Sequence, residues 1–118
     1  MPTAIASSLS AAWEQLLQQL EHTVGKRPAD LNAVLFLIGL QEVGKGPRRF
    51  SKEQKQDLLH VAVCTVLAPS GYYTPTGPDK DNWPQFELAN PLPPGDILAQ
   101  EDFLKKHIIQ YFDSISFS

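Results

Sequence analysis

Apolar residues recur at spacings of three and four along the first part of the chain. Leu9, Trp13, Leu16, Leu17, Leu20 and Val24 form one stripe, while Glu14, Gln15, Gln18, Gln19 and Glu21 face away from it. That period predicts a helix over 10–24, with Ser10 as its N-cap and Gly25 just past its end. A second helix is predicted over 31–43, between Asp30 as cap and Gly44 as stop. Its middle, 34–40, is apolar on every side, which predicts an element covered all round. Periodicity alone leaves 33–40 open between a helix and a buried strand, and the end signals and length favour the helix.

A third helix is predicted over 52–67. Ser51 and Gln54 have the spacing of a capping box, and Pro69 limits the far end. Its first two turns are polar and its later turns almost wholly apolar, so one end is wet and the other enters a core. A fourth helix is predicted over 97–112 behind an Asp96 cap. Ile97, Leu104, Ile108 and Tyr111 share its apolar face, with Phe112 beside them, and Glu101–Lys105 and Asp102–Lys106 are favourable i,i+4 pairs.

Between the last two helices the composition changes. Residues 69–95 hold seven of the ten prolines and three of the seven glycines, and proline at that density forbids a long helix. Two short strands are predicted over 72–76 and 83–88, joined by the turn formers of 76–82. Pro75 and Pro84 confine them to sheet-edge positions, and the aromatic residues are expected near the hairpin base. The expected fold is mainly α: a compact bundle of about four helices with a small β-hairpin between helices three and four. A single globular domain is expected over 1–118, with 1–8 and 114–118 frayed.

With 118 residues, 42% hydrophobic content and a formal charge of −3, the chain has the composition of a globular domain and not of a polycation. Its longest apolar run, 33–40, is too short to span a bilayer. No Lys or Arg precedes an apolar core in 1–10, so no secretory signal is read there. These features predict a cytoplasmic protein without a membrane partner. Cys64 is the single cysteine, which leaves no internal disulfide and no Cys-rich zinc site.

Three patterns touch on chemistry. Gly39, Gly44, Lys45 and Gly46 come within one residue of a phosphate-binding loop. Gly46 stands where that loop needs a hydroxyl, however, and Pro47 where it enters a helix. Asp79, Asp81 and Asn82 suggest a calcium loop, but Pro84 occupies a position such a loop cannot give to proline. Glu53, Asp57, His60 and Cys64 follow one stripe of helix three. Asp57, His60 and Cys64 could serve as a Cys–His nucleophile pair with an orienting carboxylate, or as part of a metal site. The metal site lacks a second ligand pair, with only Glu42 or His107 on other helices, and a thiol among valines should be inert. The expectation is a buried polar site of Asp57, His60 and Cys64, without a metal, cofactor or catalytic role.

The strongest charge feature is the segment 45–55. Lys45, Arg48, Arg49, Lys52 and Lys55 stand against Glu53 alone, just before a helix N-terminus that itself favours anions. The segment can pair with the chain's own acidic region, which has Asp79, Asp81, Glu87, Asp96, Glu101 and Asp102 against Lys80. It can instead hold an acidic protein or a phosphate-bearing ligand. The function expected is a non-catalytic protein-interaction or regulatory module, with self-association left open. The order of three helices and a hairpin also resembles a winged-helix nucleic-acid-binding domain in element order alone, with 45–55 and helix three as its contacts. Asp79 and Asp81 at the wing tip and the negative net charge rank nucleic acid lower.

Overall fold

A computed structural model describes residues 2–44 and 49–115, with side chains from residue 9 onward. The described residues form four α-helices, with a two-stranded antiparallel hairpin between the third and the fourth. The chain divides into two compact units, residues 1–31 with 95–118, and residues 32–94. Among the described residues no helix is long and apolar enough to cross a membrane.

The first unit holds α1 (Pro2–Val24) and α4 (Ile97–Ser114), which pack on each other. Helix α1 starts well before the expected cap, so Ser10 lies inside it and 2–8 continue the helix. Ala4 and Ala6 are good helix formers, in the part of the helix that precedes the apolar stripe. Leu16 and Leu20 of α1 are buried, as are His107, Ile108 and Phe112 of α4. The Lys105 ammonium lies 5.5 Å from the Trp13 ring centroid, a cation–π contact on a residue expected to pair with Glu101. After α1 the chain turns at Gly25, and Arg27 reaches back to Glu14 at 2.6 Å. Asp96 caps α4 through the Ala99 amide. The first turn of α4 does not join the apolar face expected of it, since Ile97 and Leu98 are 75% and 72% exposed. Ile115 caps the end of α4, and 116–118 lie outside the described residues.

The second unit holds α2 (Leu31–Val43), α3 (Lys52–Leu67), β1 (Tyr73–Pro78) and β2 (Pro84–Leu88). The run 33–40 is helical. It is not covered on every side: Val34, Leu35 and Ile38 are buried, but Phe36, Leu37 and Leu40 are half-buried. Helix α2 stops at Gly44, which adopts φ +70° while its amide still bonds to Leu40. That left-handed conformation is cheap for glycine and costly for any L side chain. Helix α3 begins on the full capping box, Ser51 Oγ accepting from the Gln54 amide and Gln54 Oε1 from the Ser51 amide. It ends in a short 3-10 turn, Ala68–Ser70, carrying Pro69.

The hairpin pairs Tyr73 with Leu88 and Pro78 with Pro84, with a bulge at Thr76. Asp79 builds the turn: its Oδ1 accepts from the Asp81 and Trp83 amides at 2.9 and 3.0 Å. This carboxylate reinforces the turn's own backbone bonds, in which the Asp79 amide donates to the Trp83 carbonyl and the Asn82 amide to the Asp79 carbonyl, both at 2.9 Å. Trp83 was expected near the base of the hairpin but stands at its turn end. There it is 8% exposed and joins Val43, Leu58 and Val61 in a core cluster flanked by Phe36, Leu40, Phe50 and Phe86. Phe50 meets both Phe36 and Trp83 edge to face. An isolated two-stranded hairpin is marginal in water, so this aromatic anchorage is what makes it a fixed element.

Candidate functional site

Helix α3 positions both groups of candidate residues. Of the basic segment, Arg49 lies just before the helix, and Lys52 and Lys55 lie on its first turn, three residues apart and so on one face. All three are exposed, and among the described residues they form no ion pair. The cations are therefore solvated there, without the acidic hairpin as counter-charge. Lys45 and Arg48, together with Gly46 of the glycine-rich pattern, lie outside the described residues. Residues 39–43 of that pattern are the last turns of α2, not a loop.

One turn further along α3, a cleft of about 510 Å³ opens between the helix and the turn end of the hairpin. Gln54, Asp57 and His60 form the helix wall, and Asp79, Asp81 and Gln85 the hairpin wall, over Trp83 and Phe86. Three carboxylates and no lysine or arginine line it. Asp79 is already engaged in the turn, and its Oδ2 also receives Gln85 Nε2 at 3.3 Å. Among the described residues no group of three or more His, Cys, Asp or Glu is placed to hold a metal ion.

Asp57, His60 and Cys64 do not form a buried polar site. Cys64 is fully buried, whereas Asp57 and His60 are exposed on the cleft side of α3. The reason is position along the helix axis: the row keeps to one stripe but passes from the wet first half of α3 into its apolar second half. Successive steps of three and four residues carry the row from solvent at Asp57 to the core at Cys64. Cys64 Sγ lies 3.5 Å from His60 Nε2, and the His60 ring meets Tyr73 edge to face. Burial pushes the thiol up to about 11, against a smaller lowering by a backbone hydrogen bond. A thiol so raised is protonated at neutral pH, so it offers no thiolate nucleophile. Burial also raises the Tyr73 phenol, with a second push from Cys64.

No protein-family profile, curated protein or solved structure matches this chain. The candidate site therefore stands on its own geometry. The stripe along α3 places Asp57 and His60 on the helix, and the capping box places Gln54 there, but neither points to their partners across the cleft. The available signal was Asp79 followed by Asp81, Asn82 and Trp83. An Asx-type turn ending on a large aromatic residue directs that ring, and the turn with it, onto the helices.

Proposed function

We propose that the chain is a non-catalytic protein-interaction module that uses the start of α3 to hold an acidic protein surface. The observation that carries this is the set of exposed cations Arg49, Lys52 and Lys55, which lack an internal carboxylate among the described residues. Such charges steer association and weaken with salt. The adjoining cleft, walled by Asp57, Asp79 and Asp81, gives the face two signs in close succession. A protein partner can match that pattern, while a phosphate backbone would be repelled by half of it. The protonated, buried thiol of Cys64 supports a non-catalytic role for its contact with His60.

The test is a fluorescence titration of the full chain with a polyglutamate peptide, inorganic phosphate and random-sequence duplex DNA at about 50 mM salt. Peptide binding that fades with salt and is lost in Arg49→Glu/Lys52→Glu/Lys55→Glu is the expected result. Micromolar duplex binding with a steep salt dependence would replace this function with the winged-helix one. Absence of salt-dependent binding to every probe would refute the acidic-partner proposal.

A further inference from the structure

The segment between the hairpin and α4 reads Asn90, Pro91, Leu92, Pro93, Pro94, Gly95. The hairpin delivers it in a defined way: the Ala89 amide bonds to the Tyr72 carbonyl at 2.8 Å, and Asn90 Nδ2 to the Gly71 carbonyl at 2.6 Å. Beyond that anchor the chain leaves regular structure. Residues 91–94 are all exposed, Leu92 at 44%, and among the described residues they take part in no hydrogen bond. At the far end Gln100 Nε2 donates to the Gly95 carbonyl, and Asp96 caps α4.

The backbone of this segment has few alternatives. Pro91, Pro93 and Pro94 have φ fixed near −65°. Asn90, Leu92 and Pro93 each precede a proline, which disfavours the helical region and biases them to extended or polyproline-II geometry. No cis peptide bond occurs among the described residues. These constraints favour polyproline-II geometry, a left-handed threefold form, for a segment with prolines at both ends of a P-x-x-P spacing and an exposed leucine between them. Its carbonyls are free to accept hydrogen bonds, and its ordering cost is reduced before any partner arrives.

We infer that residues 91–94 are a polyproline-II ligand that docks in the aromatic-lined groove of a partner protein. Recognition of this kind uses ring faces to clasp the prolines and an aromatic N–H or O–H to reach the exposed carbonyls. The flanking charges narrow the partner. Glu87 lies before the segment and Asp96 two residues after its last proline, so the matching groove has a basic rim, and an acidic rim is repelled. The proposal goes beyond the basic face of α3 and does not depend on it, because none of these residues belongs to that face.

The experiment is biolayer interferometry of the immobilised full chain against a panel of purified SH3, WW and EVH1 domains whose rims range from acidic to basic. Micromolar binding by members with basic rims is expected. It should weaken about tenfold or more in Pro91→Ala/Pro94→Ala and in Leu92→Asp. The same binding should be unchanged in Arg49→Glu/Lys52→Glu/Lys55→Glu, which separates it from the acidic-partner site. Circular dichroism of the variants should match the parent, since none of the replaced side chains makes a hydrogen bond. Failure of every domain to bind more tightly than millimolar, or equal binding by both proline-segment variants, would overturn the proposal and leave the segment a semi-rigid spacer.

Discussion

Gly39 of α2 lies against the backbone carbonyl of Leu58 on α3, so closely that a β-carbon at 39 would overlap that oxygen and come within 3.1 Å of Leu58 Cβ. The two helices meet here backbone to backbone, and a peptide carbonyl inside a helix cannot rotate aside. Alanine in place of glycine gains about 1 kcal/mol of helix propensity, but the overlap costs more. Gly39→Ala should lower the unfolding free energy by about 2 kcal/mol in a urea titration. A stabilised variant would show that the crossing is looser than described.

Trp83 joins the hairpin turn to the helical core. Trp83→Ala should cost about 3–5 kcal/mol, the range for removing a large buried aromatic. Asp79→Ala, which removes the acceptor for two turn amides, should cost about 1 kcal/mol and leave the core intact. Hydrogen exchange should separate the two. The alanine at 83 exposes amides throughout the hairpin, while the alanine at 79 exposes those of the turn alone.

Cys64 should react slowly with a thiol reagent in native buffer and rapidly once the chain is unfolded. Its raised ionisation also has a thermodynamic sign. The native state holds the proton up to about 11, against an ordinary value of 9.0. The thiol's contribution to stability is therefore fully present below about pH 9 and is lost as pH rises toward 11. The loss amounts to about 2–3 kcal/mol. Tyr73, also raised, acts in the same direction. Stability measured by denaturant at pH 8 and pH 10.5 should fall less in Cys64→Ala than in the parent, and an equal fall would assign the alkaline loss to other groups.

Along α2 the burial is uneven, and mutational cost should follow it. Ile38 is 1% exposed and Leu37 only half-buried. Ile38→Ala should cost about 2–5 kcal/mol and Leu37→Ala clearly less. Calorimetric midpoints in the reverse order would mean that Leu37 faces the core.

Reversing the charges at Arg49, Lys52 and Lys55 should leave stability unchanged within about 0.5 kcal/mol, because exposed, unpaired cations contribute little. Glutamate at 52 also complements the positive end of α3. A large loss would reveal an internal partner for these cations and undercut their role as a contact face.

Much of the helical framework was legible because its ends carry chemical signals. The bounds of α2 and α3 follow from Gly44, Ser51 with Gln54, and Pro69, each a residue whose backbone requirements are local. The start of α1 was not legible, since residues 2–8 carry no apolar period to mark it and Ser10 is tolerated inside a helix. Periodicity also overstated burial. A residue such as Ile97 continues the stripe of α4 in register, yet exposure depends on whether another element reaches that turn. The cleft was the least legible feature. It joins Asp57 and His60 to Asp79 and Gln85 through a tertiary approach anchored by Trp83, and the turn at 79–83 signals only that its aromatic ring packs on a helix, not which helical residues it faces.

Trp13 belongs to the unit formed by residues 1–31 and 95–118, and Trp83 to the unit formed by 32–94. These are the two tryptophans of the chain, so each unit carries its own intrinsic fluorophore. One indole lies beneath the Lys105 ammonium and the other among Val43, Leu58 and Phe50, so their emission should differ in colour. Replacing either by phenylalanine leaves an optical probe of the other unit alone. Whether the two melt together or in succession can then be read from a pair of single-wavelength curves.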